Sequence, residues 1–149
     1  MDRILVADAG FAAALRAIEV AVDLAKKTGA ALSAIAVVDP GEYRQTEITA
    51  FAQSEELEVG EALDTIIDEA AAYVDRCRTI AGAQGVARVQ IEKRSGSNPA
   101  REILDGAREH GVDLIVLGTR GRHRLPGLML GSVSHEVVSK APCSVLIAR

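Results

Sequence analysis

Apolar residues in this chain fall into two kinds of run, and the two kinds alternate. "RILVAD" (residues 3–8) and "ALSAIAVVD" (31–39) are short and almost unbroken, the pattern of strands buried on both faces. Between them, "FAAALRAIEVAVDLAKKTGA" (11–30) places Leu15, Ile18, Val22 and Ala25 at helical spacing, with Lys26, Lys27 and then Gly29 as a stop signal. Residues 40–53 show no period and predict a loop. Residues 54–82 carry the stripe Leu63, Ile66, Ile67, Ala70 and Val74, which predicts a long amphipathic helix. "VARVQIEKR" (86–94) sets Val86, Arg88 and Gln90 against Ala87, Val89 and Ile91, a strand with one face more polar. In "SNPAREILDGAREHG" (97–111), Asn98 is a helix cap, Pro99 fits the first helical position and Gly111 fits the stop. "VDLIVLG" (112–118) is a fourth strand. "SVSHEVVSKA" (132–141) is a helix ended by Pro142, and "CSVLIAR" (143–149) is the fifth strand.

Strands that alternate with helices imply right-handed crossovers and a mostly parallel α/β sheet. No repeat, linker or low-complexity tract divides the chain, so one domain over residues 1–149 is expected. With two Phe, two Tyr and no Trp, the core must be aliphatic, which suits helices packed on such a sheet. A net charge of −4 gives no overall basic field for nucleic acid. The two cysteines, Cys77 and Cys143, lie outside any CxxC or metal-ligand spacing and are expected to be reduced structural thiols. The opening "MDRILVADAG" has no signal-peptide pattern, and no apolar run approaches the roughly 18 residues of a membrane span. A cytoplasmic protein without membrane insertion is the expectation.

The candidate chemistry lies in "GTRGRHRLPGLMLGSVS" (118–134), a loop with four glycines and three arginines that leaves the fourth strand and enters a helix through Gly-Ser. In parallel sheets, ligands bind beyond the carboxyl ends of the strands, where the strand order reverses. Asp8, at the end of strand 1, and Gly118, after strand 4, are placed for this. A helix beginning at Gly131, Ser132, Val133 and Ser134 offers free N–H groups and the positive end of its dipole to an anion. Arg120, Arg122, His123 and Arg124 bring positive charge. Each residue also has a plainer reading. Gly118 and Gly121 turn the chain, Ser132 caps the helix, the arginines form a solvated face, Asp8 caps a helix, and His123 lacks a partner for metal. No GxxxxGK[ST] is present, nor a GxGxxG after strand 1.

The spacing Gly118-x-x-Gly121, nine residues, then Gly131-Ser132 matches the G-2x-G-9x-G-S/T motif of the ATP-binding universal stress proteins. The resemblance extends over nearly the whole chain, through "ILVA", "VVD", "GVDLIVLGTRGR" and "GSVSHEVVSKAPCSVLI". It implies an open five-stranded sheet in order 3-2-1-4-5 with helices on both faces. It also implies ATP, or AMP or ADP, bound over strands 1 and 4 by a stress-response regulatory protein. By matching position, Ala7, Asp8, Ala9 and Val37 would meet the nucleoside. Gly118, Arg120 and Gly121 would line the ribose and phosphate path, and Gly131, Ser132, Val133 and Ser134 would hold the phosphates. Any Mg2+ would be held chiefly by phosphates and water, with no protein metal ligand and no catalytic residue assigned. The family order puts the apolar fifth strand at a sheet edge, where a homodimer is expected. Where relatives read "ILVAxDGS", this chain reads "ILVADAGF". Ala9 replaces an Asp, Phe11 replaces a Ser, and Ser97 stands where a Gly is common. The alternative functions are a slow ATPase using Asp8 and the loop arginines, or an interaction module that has lost nucleotide binding.

Overall fold

The computed structural model describes residues 1–8, 14–38, 52–53, 55–56, 58–118 and 130–149. Five strands, β1 (Arg3–Asp8), β2 (Ala31–Val38), β3 (Val89–Ser95), β4 (Leu114–Gly118) and β5 (Ser144–Ala148), form one sheet in the order β3-β2-β1-β4-β5. All four pairings are parallel. The helices described from end to end between them are α1 (Ala14–Thr28), α2 (Val59–Ala83), α3 (Pro99–Glu109) and α4 (Ser132–Lys140). The fold class is the one the sequence pattern predicts, and the strand order is the one the family resemblance implies.

Alternation along the strands sorts the core onto two faces. Ile4, Val6, Leu32, Ala34, Leu114 and Val116 pack with Ile18, Ala21 and Val22 of α1 and with Cys77 and Ala81 of α2. Leu5, Ala7, Ile35, Val37, Ile115 and Leu117 pack with Ile103 and Leu104 of α3 and Val137 of α4. Both faces of β1 and β4 are therefore covered. Cys77 is buried, which pushes its thiol up to about 12 and leaves it un-ionised at neutral pH. Cys143 is also a free thiol, half-buried beside the second cluster.

Helix ends follow local chemistry. Asn98 caps α3 by accepting the Arg101 backbone N–H at 3.0 Å. Gly85 and Gly111 take φ of 81° and 56° just past α2 and α3. There the paired bonds Val86 N–H to Ala81 O and Val112 N–H to Ala107 O close each helix. Four expectations shift. Leu15 is exposed, because the buried arc of α1 runs through Ala17, Ile18, Ala21, Val22 and Ala25 and leaves Leu15 at its margin. β3 starts at Val89 rather than at residue 86, since Val86 is held in the turn that ends α2. Residues 52 and 53 are helical where a loop was expected. α2 then starts at Val59 rather than residue 54, because Glu56 has φ of 55° and Glu61 fixes the start by accepting the Glu58 N–H. The side chains of the predicted stripe Leu63, Ile66, Ile67, Ala70 and Val74 lie outside the described residues.

β3 is tied to α3 by charge. The nearly buried Arg94 guanidinium donates to Glu92 at 2.9 Å, to Glu109, and to the Glu102 carbonyl at 3.4 Å, while His110 Nε2 meets Glu92 at 3.0 Å. Gly106 makes the room, for a Cβ there would overlap the buried Ile35 Cδ1 and lie 3.5 Å from Arg94. We predict that Gly106→Val destabilises the fold by about 1–3 kcal/mol through overpacking. Gly82→Ala, in helical backbone where a Cβ meets nothing within 4 Å, should stabilise by about 0.8–1 kcal/mol. Urea midpoints that ranked the two variants the other way would refute the packing argument.

Burial acts to raise the Glu92 carboxyl, but hydrogen bonds from His110 and Arg94 outweigh it and hold the group below its ordinary value. A pKa lowered on folding adds stability above the unfolded value, and that stability is lost as pH falls through the folded one. Glu92→Gln should therefore remove about 0.2–1 kcal/mol at about pH 7, allowing for solvent screening. It should remove less at about pH 3, because that stability is lost progressively once pH falls below the ordinary carboxylate range. Equal losses at both pH values would show that the charge of Glu92 is irrelevant.

Candidate functional site

The strand order reverses between β1 and β4. Chain progress runs outward from β1 through β2 to β3, then returns through α3 to β4 and continues to β5. The connections that leave the carboxyl ends of this central pair diverge to opposite faces, which is where a crevice forms in such sheets. Ala7 pairs with Leu117, so Asp8 and Gly118 each stand one residue beyond a fixed register point. Ala7 and Val37 are buried on the α3–α4 face, together with Leu117. Val37 pairs with Arg94 of β3, three strands from the far edge.

The start of α4 is brought to this end of β4. Val133 and Val137, four residues apart, seat the helix on the second core cluster. Gly131 is the N-cap, with φ −61° and ψ 163°, and its carbonyl accepts the His135 N–H at 2.9 Å. Among the described residues no side chain caps the helix, and its first turn holds no acidic residue. The N–H groups of that first turn consequently have no intrahelical partner. A Cβ built on Gly131 meets no described atom within 4 Å, so the approach is open among the described residues. Ser132 is exposed, whereas Ser134 is buried and donates its hydroxyl to the Gly118 carbonyl at 3.3 Å.

α3 on the same face gives the contrast. Its N-terminus is closed from within, by the Asn98 side chain and by Glu102 in its first turn. α4 has neither device among the described residues, so nothing described there offsets its dipole or takes its first-turn donors. This arrangement can hold an anion by backbone donors. Among the described residues no group of three or more His, Cys, Asp or Glu could hold a metal ion. Of the residues that the sequence singled out, Ala7, Val37, Gly118, Gly131, Ser132, Val133 and Ser134 fall on β1, β2, the end of β4 and the start of α4. The backbone of Asp8 ends β1. Ala9, Arg120, Gly121, Arg122, His123 and Arg124 lie outside the described residues, as does the Asp8 side chain. The bond from Ser134 to Gly118 was not foreseen. It spans sixteen residues, and nothing in the spacing of the motif signals it.

A five-stranded parallel sheet in the order β3-β2-β1-β4-β5 with helices on both faces defines an open α/β class. The family model of the universal stress protein family matches residues 1–149, and the chain belongs to that family. It is 34% identical over 148 residues to the universal stress protein YxiE of Bacillus subtilis (strain 168), covering 99% of each chain. Among solved structures it is similar to the universal stress protein UspA from Lactobacillus plantarum, with a TM-score of 0.80 and 30% identity, covering 99% of this chain and 97% of that one. It also shares its fold with a universal stress protein solved in complex with cAMP, at a TM-score of 0.68 and 24% identity, covering 99% and 97%. Among the described residues no helix is long and apolar enough to cross a membrane.

Proposed function

We propose that this chain is a cytoplasmic, stress-response regulatory member of the family that binds adenine nucleotide, with ATP as the ligand. The observation that carries this reading is the start of α4, which is uncapped, free of acidic residues in its first turn, open at Gly131 and set beside the end of β4. The family relative solved with cAMP supports an adenine nucleotide as the anion. In this reading the phosphates lie against the N–H groups that follow Gly131 and take the exposed Ser132 hydroxyl. Gly118, Arg120 and Gly121 line the path toward the nucleoside, which meets Ala7, Asp8, Ala9 and Val37. A Mg2+ ion, when bound, is held by phosphate oxygens and water. AMP and ADP share the same chemistry with fewer charges.

The test is Gly131→Val. The φ of Gly131 is within reach of any residue, and the built Cβ meets no described atom within 4 Å, so the variant should fold. Its side chain occupies the space that the phosphate needs. Calorimetry should show ATP binding to the parent and a loss of about tenfold or more in the variant, equivalent to about 1.4 kcal/mol. Equal affinities in a folded variant would remove the phosphate cradle.

We also propose a homodimer through β5. This strand ends the sheet, and Val145, Leu146 and Ile147 are only partly buried, on alternate faces of it. An apolar edge with unpaired backbone invites a second copy. Light scattering at micromolar concentration should give a dimer for the parent and a shift toward monomer for Leu146→Lys or Val145→Lys. A monomeric parent would sink the idea.

A further inference from the structure

We propose that Ser134 is a positioning residue, whose hydroxyl anchors the start of α4 to the end of β4 and is not itself a phosphate contact. It is the one buried polar residue among those described, at 8% exposure. A buried hydroxyl needs a partner, and this one has the Gly118 carbonyl at 3.3 Å. Gly118 is the last residue of β4 and is held in register with Ala148 of β5. The bond therefore joins the two ends of the 119–131 connection, fixing the helix start against a strand that cannot shift.

Apolar packing alone does not do this. Val133 and Val137 press α4 onto the sheet, but such contacts are non-directional. They leave the helix free to slide or roll by a fraction of a turn. The Ser134 bond is directional, and it sets where the first-turn N–H groups aim. A hydroxyl has one proton to donate. With that proton on Gly118, the Ser134 side chain has none for a phosphate, and the hydroxyl left facing outward is that of Ser132. Two serines two residues apart thus take different tasks: Ser132 contacts ligand and Ser134 orients the donors. The ligand half of this inference rests on the nucleotide reading above, and the anchoring half does not.

The experiment uses Ser134→Ala and Ser134→Thr in the full chain, with hydrogen exchange read in nucleotide-free protein and calorimetry with ATP and with adenosine. Removing the bond should speed exchange at the His135 and Glu136 amides by about three- to tenfold, the range expected for one net hydrogen bond. Amides of β1 should stay as protected as in the parent. ATP affinity should fall by a similar factor while adenosine affinity holds, because only the phosphates meet the helix start. Ser134→Thr, which keeps the hydroxyl, should restore both. A loss of ATP affinity with unchanged exchange would mean that Ser134 touches phosphate directly, and would overturn the proposal. Unchanged exchange with unchanged affinity would overturn it too, as would a rise that spread to β1, which marks general loosening. A parent that binds neither ligand would reject the nucleotide reading, and the exchange measurement alone would then decide the anchor.

Discussion

The structure depends on one constraint, the handedness of strand-helix-strand connections. Each crossover between parallel strands is right-handed. Moving outward from β1 to β2 to β3 puts α1 and α2 on one face, and returning to β4 and β5 puts α3 and α4 on the other. Two consequences follow together. The central pair β1–β4 is buried on both sides, so its residues are almost wholly aliphatic. The connections leaving its carboxyl ends part to opposite faces, and this leaves room for a ligand at the one place where the backbone beneath is most firmly held. The position of the site and the stability of the core thus have a single origin.

That placement would give only a gap without the unequal treatment of the two helix starts on the second face. α3 satisfies its own N-terminus with Asn98 and an early Glu102. α4 begins at a glycine with no capping side chain. A glycine N-cap costs only a few tenths of a kcal/mol relative to the better caps, a small sacrifice in a helix seated by Val133 and Val137. What it leaves is a set of donors that solvent or an anion must satisfy. His135 sits one turn in, with its N–H already on the Gly131 carbonyl, so the open donors are confined to the first turn.

Much of this was legible in the sequence, because the signals involved are local. Unbroken runs such as "LIVLG" can only be buried strands at that length. Asn98-Pro99 and Gly111 mark both ends of α3 through chemistry that acts within four residues. The motif spacing singles out Gly118 at the end of β4 and Gly131 at the start of α4 for a similar reason, while Gly121 lies outside the described residues. The failures came where one element depended on another. Leu15 has helical spacing, but which arc of α1 is buried depends on how the helix sits on the sheet. β3 begins late because Val86 is recruited by the end of α2. Arg94 looks like an ordinary strand-end charge, and its burial arises from Gly106, Glu102 and Glu109 on a helix that the strand pattern does not mention.

The two sheet edges show how the same physics assigns different tasks to similar strands. Both β3 and β5 end the sheet and expose one row of backbone groups. β3 carries Glu92, Lys93 and Arg94 in succession, and two of the three are bound into ion pairs with α3 or its neighbours on the same face. Lys93 turns to the other face and meets Asp68 of α2 at 3.3 Å. An edge so charged resists pairing with another strand. β5, "SVLIA", carries no charge at all. Its alternate residues feed both core clusters, so a charge placed there would meet apolar surroundings whichever face it took. The core thus holds β5 apolar, and its outer row of backbone groups lacks the charge that guards β3. Of the two edges, β5 is the one whose composition leaves it open to a partner strand.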